Sequence, residues 1–491
     1  MGVHLPYRPS PLFQGFAGPP YSDRVEPASF PDHILRYRNQ TWADKVGLNG
    51  LSDDQWLDHF GRFAPLPDNL EKPLALRYHG HQFQQYNSDI GDGRGFLFAQ
   101  LRDDQNRLLD LGTKGSGQTP YSRFGDGRLT LKGGVREILA TQMLEALGVY
   151  TSKSFSLIET GEALTRNDEP SPTRSAVLVR LSHSHIRFGA FQRLAFEKNV
   201  DAIAALVEYC IEHFYPHLES QNAEARQLGF FQTVVSQTAK LAAQWMNAGF
   251  VHGVLNTDNM NVTGESFDYG PWRFAPTANA HFTAAYFDQT NLYAFGRQSG
   301  ALAWNLARLG DCLTHLIEVD DLNECLQSYS PAYERAMCDA LFQRLGLQRA
   351  GTDDSRFVAD WFTWLAESQV PFEQAFFDWF GGTASSERAA NSPASAFYKR
   401  EDFQRVREQL LGFTPIGQER LTHEYFNAPS PCTMLIDEVE EIWDAIAQND
   451  NWEIFESKLQ AITGMGAAYG FAASDFSPET TSSLPESPSE A

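Results

Sequence analysis

The densest set of reactive side chains lies in the run HGVLNTDNM, His252 to Met260, just after an amphipathic stretch that ends at Trp245-Met246-Asn247. Asp258 and Asn259 are neighbours there, and Asp268 follows ten residues after Asp258 in FDYGPW. A loop amide and a later carboxylate are hard oxygen donors, suited to a magnesium ion that bridges phosphates. Asn259 and Asp268 are therefore candidate metal ligands, and Asp258 is left free to accept a hydroxyl proton. An Asx-rich turn with capping roles is the plainer alternative, against which the ordered pair of signals argues.

Cations precede these acids. In GDGRG, Gly91, Gly93 and Gly95 occupy alternate positions ahead of an apolar run, so backbone amides can approach a phosphate while Arg94 supplies charge. Spacing alone favours a tight turn or bulge there. Lys114 follows the apolar run RLLDLGT twenty residues after Arg94 and can meet phosphate oxygens as a point charge. Glu137, at the flank of the next helix's apolar stripe, could pair with it as Lys and Glu do in protein kinases; solvated positions are the alternative for both. Arg180 closes the strand SAVLVR, and Arg187 follows seven residues later. A cation at a strand end needs a partner, and a structural carboxylate serves as well as a ligand. The pairs His79-x-His81 and His183-x-His185 have strand-like spacing but lack a matching third ligand cluster, so they read as positioned or core histidines.

These side chains need a frame. From Pro73 to about Leu194, GFLFAQL, RLLDLGTKG, SFSLIET and SAVLVRLS read as strands among glycine-containing turns. Val135, Ile138, Leu139, Met143, Leu144 and Leu147 recur at helical spacing after Gly133-Gly134 and mark one intervening helix. From about Ala195 to Ile462 the chain turns to long amphipathic stretches, interrupted by a polar segment at 383–395 that reads as a surface loop. Residues 1–72 read as an irregular wrapping segment with a short helix near Ser52 to Phe60. Residues 474–491, with 11 Ser, Thr or Pro, four acids and no Lys or Arg, read as a disordered acidic tail. The expected class is α+β: a bilobal protein-kinase-like fold, with a strand-rich nucleotide-binding N-lobe at 73–195 and a mainly helical C-lobe at 196–465.

The 491 residues carry a net charge of −23, which disfavours nucleic-acid and anionic-lipid partners. Between Gly91 and Leu194, however, 14 Lys and Arg face 11 Asp and Glu, the local excess of cations that an anion pocket requires. Five cysteines without a CxxC pair argue against a disulfide framework and a zinc site. With no apolar run of membrane-spanning length and no signal-like start, a cytoplasmic monomer is the expectation.

Taken in order, the signals describe a kinase-like plan, although the glycine turn is not GxGxxG and the catalytic loop is not His-Arg-Asp. The motifs GHQF (Gly80 to Phe83), GDGRG, TKGSGQTPYSR (Thr113 to Arg123), GDGR (Gly125 to Arg128), VREIL, HGVLNTDNM and DYGPW are all present. In content and order, over roughly residues 73–310, they resemble the selenoprotein O or YdiU family of kinase-fold protein adenylyltransferases. That resemblance implies transfer of AMP from ATP to Ser, Thr or Tyr hydroxyls of proteins, with release of pyrophosphate and the nucleotide flipped relative to ordinary kinases. It implies that Lys114, Arg180 and Arg187 hold the β- and γ-phosphates, and that Gly91, Gly93, Arg94, Asp126 and Gly127 complete the nucleotide site. Asn259 and Asp268 would ligate Mg²⁺ or Mn²⁺, Asp258 would be the base, and Glu137 would position Lys114. Extra cations suit the charge of a departing pyrophosphate. The alternatives are a protein kinase that moves the γ-phosphate and a nucleotide-binding pseudokinase scaffold. Many family members carry a cysteine near the C-terminus, and this tail has none.

Overall fold

The computed structural model describes residues 6–167, 169–219, 222–351 and 354–471, so the expected tail at 474–491 lies outside the described residues. The strands are β1 (Ser22–Arg24), β2 (Ile34–Arg38), β3 (Leu74–Leu76), β4 (Gly80–Gln82), β5 (Gln85–Asn87), β6 (Leu97–Arg102), β7 (Leu108–Lys114), β8 (Leu129–Thr130), β9 (Lys153–Leu164) and β10 (Thr173–Ser182). One antiparallel sheet runs β1-β3-β6-β7-β10-β9-β2, with β8 also paired to β10, while β4 and β5 form a separate hairpin.

Strand periodicity sorts the core. Val177, Val179 and Leu181 of β10 point into one apolar cluster, and Ala176 and Leu178 point into another. The first cluster is roofed by helices α1 (Gln40–Lys45) and α2 (Asp53–Phe60), whose Trp42, Trp56 and Phe60 meet Phe98 and Phe155 of the sheet. The second receives α3 (Leu131–Ala146), which starts where the Thr130 hydroxyl accepts from the Gly133 amide. The two glycines read as its leading turn lie inside this helix. A Cβ at Gly134 would sit 2.4 Å from Leu157 Cδ1, so that glycine lets the helix lie close on β9.

The segment read as irregular, 1–72, contributes β1 and β2 to opposite ends of the sheet. Ile34–Arg38 pairs with β9, and Ser22–Arg24 pairs with β3. Such short, half-polar strands carry little pattern of their own, and a distant partner decides them. The helix near Ser52 is present as α2, closed by a capping box between Ser52 and Gln55.

After β10 the chain is mainly helical: α4 (Phe188–Phe196), α5 (Val200–Phe214), α6 (Ala223–Asn247) and α7 (Gln298–Leu313), then further helices to Glu453–Tyr469. A two-strand ladder, β11 (Phe250–Val251) with β12 (Arg273–Phe274), follows α6 and brackets the HGVLNTDNM run. A further apolar cluster, including Trp361, Trp364 and Phe376, fills the later helices. The segment 383–395 departs from the loop reading: Gly382–Ser385 forms a 3₁₀ turn and Ser386–Asn391 a helix, with Ala389 and Ala394 buried. Its small polar residues hid a helix that docks by alanines. Among the described residues, no helix is long and apolar enough to cross a membrane.

Candidate active site

Sheet register brings the cations together before any ligand is considered. Lys114 stands opposite Leu178 in the β7–β10 ladder, and Arg180 lies two residues further along β10. Directly opposed residues share a face, as do residues two apart, so Lys114 and Arg180 point to the side that carries α3. From α3 the fully buried Glu137 meets Lys114 Nζ at 2.6 Å and lies 3.5 Å from Arg180 Nη1. Asp268 comes from the other side: its Oδ1 is 2.9 Å from Lys114 Nζ and 3.4 Å from Arg180 Nη1. Arg187, ahead of α4, adds a third cation at 2.9 Å from Asp268 Oδ2.

These side chains are 4–5% exposed at Lys114, Arg180 and Arg187, so their mutual charge is weakly screened. Burial would raise the Asp268 carboxyl, but Lys114, Arg187 and Arg180 hold it well below the usual carboxylate range. Its backbone is in the left-handed region, with φ +63°. Arg187 is fixed further by donating to the Asp258 carbonyl at 2.6 Å and by lying over the rings of Tyr78 and Phe267.

The loop after β11 is held from below and above. The His252 Nε2 nitrogen meets the Phe267 carbonyl at 2.9 Å, Asn261 donates to the Ser184 carbonyl, and Phe188 N donates to Met260 O. Above it, the hairpin of β4 and β5 sits on the 3₁₀ turn Thr257–Asn259. His81 N donates to Thr257 Oγ1, Phe83 N to Asn256 Oδ1, and Gln82 Nε2 to Asp258 Oδ2 at 3.4 Å. Asp258 Oδ1 has no hydrogen-bond partner although the residue is buried. Burial pushes this carboxyl up to about 6, against the pull of Arg187.

These groups open onto a cleft of about 740 Å³. Ten of the sequence-predicted residues line it: Gly91, Gly93, Arg94, Lys114, Asp126, Gly127, Arg180, Arg187, Asp258 and Asp268. Glu137 stands behind Lys114, outside the lining. Asn259 does not line the cleft either; its Nδ2 donates to the Val254 carbonyl at 3.0 Å, which turns the amide oxygen away from that carbonyl.

The two glycine motifs are one structure. Thr119 Oγ1 donates to Asp92 O, Ser122 Oγ donates to Gly93 O, and Gly117 N donates to Gly127 O. Close approach explains the glycines: a Cβ at Gly91 would strike the Tyr121 ring at 2.5 Å, and one at Gly95 would strike Thr113 O at 2.0 Å. Gly127, at φ +70°, packs its α-carbon on Gly117. Asp126 is held at the rim by Arg166 at 2.8 Å, and Arg94 is exposed.

Sequence reasoning assigned no role to Gly80, Gln82, Tyr78 or Asp92. Asp92 lies 3.7 Å from Arg187 Nη2 and accepts from Leu76 N; burial raises its carboxyl, with Arg187 opposing. It sits inside GDGRG, and the charge between two glycines was the available signal.

Asn259 and Asp268 supply oxygen donors of the type a divalent cation takes, and Asp258, whose Oδ1 has no hydrogen-bond partner, lines the same cleft. No group of three or more His, Cys, Asp or Glu among the described residues is arranged to hold a metal. An ion here would complete its shell with phosphate oxygens and water. The donor chemistry fits.

Comparison with known proteins bears on what this cleft does. The model of the family described as protein adenylyltransferase SelO matches residues 7–463. The protein nucleotidyltransferase YdiU of Synechocystis sp. is 41% identical over 463 residues, covering 91% of this chain and 96% of that protein. Those of Trichodesmium erythraeum and Gloeobacter violaceus are 41% and 43% identical, covering 92% and 89% of this chain and 97% and 91% of theirs. The match spans the sheet, the cleft and the helical body together, and with it the chain belongs to the SelO family of protein adenylyltransferases.

Proposed function

We propose that the chain transfers AMP from ATP to Ser, Thr or Tyr hydroxyls of protein substrates, releasing pyrophosphate, on a bilobal kinase-like fold. In this reading residues 73–195 form the nucleotide lobe and 196–465 the helical lobe, and the chemistry runs in the cleft between β7, β10 and the 252–268 segment. One observation carries it: Lys114, Arg180 and Arg187, all buried, converge on the single carboxylate of Asp268. A kinase moves the terminal phosphoryl group itself and manages with one lysine and metal ions. Three buried cations at one place suit a leaving group of two phosphates, whose charge grows as the α-phosphorus bond breaks.

The residues then divide the work. Lys114, Arg180 and Arg187 hold the β- and γ-phosphates, and Glu137 orients Lys114. The joined GDGRG and TKGSG to GDGR turns, with Arg94, Asp126 and Gly127, hold the remainder of the nucleotide. Asp258 accepts the proton of the attacking hydroxyl, a role that suits a carboxyl with its pKa raised to about 6. Asn259 and Asp268 hold Mg²⁺ or Mn²⁺, which when bound neutralises phosphate charge. ATP is the donor substrate, and the acceptors are proteins.

Intact-mass measurement of an acceptor protein after incubation with ATP and Mg²⁺ or Mn²⁺ tests the reaction. The expected gain is one adenylyl group with pyrophosphate in solution; a phosphoryl gain with ADP in solution contradicts it.

A further inference from the structure

The HSHIR segment contains a histidine that the proposed reaction does not use. His183 follows β10, with its side chain 7% exposed and Nδ1 2.6 Å from Glu265 Oε1. Its backbone amide donates to the same carboxylate, so Nδ1 carries the proton that Glu265 accepts. The other ring nitrogen, Nε2, is buried and has no hydrogen-bond partner. Buried polar atoms are rarely left so, because desolvation without a bond is costly.

His183 lines a second cavity, about 440 Å³, which shares no lining residue with the catalytic cleft. Arg102, the last residue of β6, and Arg107, just ahead of β7, line it with Tyr150 and Tyr215. The buried Tyr150 hydroxyl is near Thr263 but makes no hydrogen bond of normal geometry. Arg102 donates one Nη1 bond to the Asn106 carbonyl at 2.9 Å, and Arg107 is oriented by Asp103 at 2.6 Å. One carboxylate lines the cavity, that of Glu212, and it is 71% exposed at the rim. In a chain of net charge −23, a cavity rich in donors and nearly free of acids is set apart.

We infer that this second cavity binds a phosphoryl-bearing small molecule, with the phosphoryl oxygens between Arg102, Arg107, His183 Nε2 and the Tyr150 hydroxyl. Guanidinium groups match phosphoryl oxygens in geometry and charge. A phosphoryl group also satisfies His183 in either protonation state: its oxygens accept from an imidazolium balanced by Glu265, and its P–OH donates to a neutral ring. The volume lies within the range of about 300–1,000 Å³ typical of small-molecule sites, so it admits a mononucleotide as well as free phosphate. The inference goes beyond adenylyl transfer and is read by binding alone, so a failure of either leaves the other standing.

Equilibrium dialysis of AMP, and separately of inorganic phosphate, against the full chain tests it with wild type, Arg102→Gln and Tyr150→Phe. Melting temperatures of the three proteins confirm that the variants are folded. The expected result is that Arg102→Gln binds one equivalent fewer than wild type, or binds it at least about tenfold more weakly, with Tyr150→Phe weakened in the same direction. The AMP and phosphate arms tell a nucleotide source from a free one. Crystals soaked with the same probes should show phosphorus density between Arg102 and His183. Equal stoichiometry and affinity in all three proteins for both probes, or water alone in the cavity, overturns the inference.

Discussion

The carboxylate of Asp258 rests against the bare α-carbon of Gly80: a Cβ there would lie 2.7 Å from Asp258 Oδ1 and 3.1 Å from the Asp258 Cβ. The GHQF motif thus closes on the residue proposed to accept the proton. Gly80→Ala must push that carboxylate or the hairpin aside. Steady-state kinetics should show kcat lowered by about tenfold or more with ATP affinity nearly unchanged, since misplacement of a reacting group costs rate before it costs binding. Unchanged kcat would remove this contact from the account.

A base must be ionised to act. With its carboxyl raised to about 6 by burial, Asp258 should make the transfer rate climb with pH through about 6 and level off above it. The same shift has a stability consequence. A carboxyl whose folded pKa exceeds its unfolded value favours the fold while protonated, and that contribution is lost as pH rises through the folded pKa. Asp258→Asn should therefore abolish transfer yet melt higher than wild type at pH 8, with the gain gone at pH 4. Calorimetry at the two pH values checks the sign.

Glu137 touches no part of the cleft surface, yet it is the buried partner of Lys114 and lies beside Arg180. Glu137→Ala leaves Lys114 and Arg180 with Asp268, which Arg187 also engages, as their remaining carboxylate, a change expected to cost about 3 kcal/mol in urea unfolding. Glu137→Gln, which keeps an acceptor oxygen, should cost less and retain more ATP affinity than Glu137→Ala.

Asp268 has the opposite relation to the nucleotide. In the structure its two oxygens serve the three cations assigned to phosphate, so Asp268→Ala releases them. Calorimetric titration with a chelator present should show nucleotide bound as tightly as in wild type or more so, while transfer with Mg²⁺ or Mn²⁺ falls by about a hundredfold or more. Parallel loss of metal-free binding would contradict the division of roles.

The main strands and α3 were legible because their apolar runs are long and bounded by glycine turns, and the acidic loop was legible from residue type and spacing. What escaped was set by partners far away in sequence. Ile34–Arg38 is a strand because β9 offers it an edge, and Gly80 matters because it meets a side chain 178 positions on. The convergence of Lys114 with Arg180 is a fact of β7–β10 register, which neither motif encodes alone. The 383–395 segment misled because small polar residues, read as turn formers, sit in a short helix that packs by Ala389.

The most direct measurement is transfer of label from ATP carrying it at the α- or at the γ-phosphate, in parallel, to protein acceptors in a lysate with Mg²⁺ or Mn²⁺. Asp268→Ala serves as the control. The account predicts protein label from the α-position alone, absent in the variant. Label from the γ-position alone would show a kinase and would contradict the reading of Lys114, Arg180 and Arg187 as the cradle of a departing pyrophosphate.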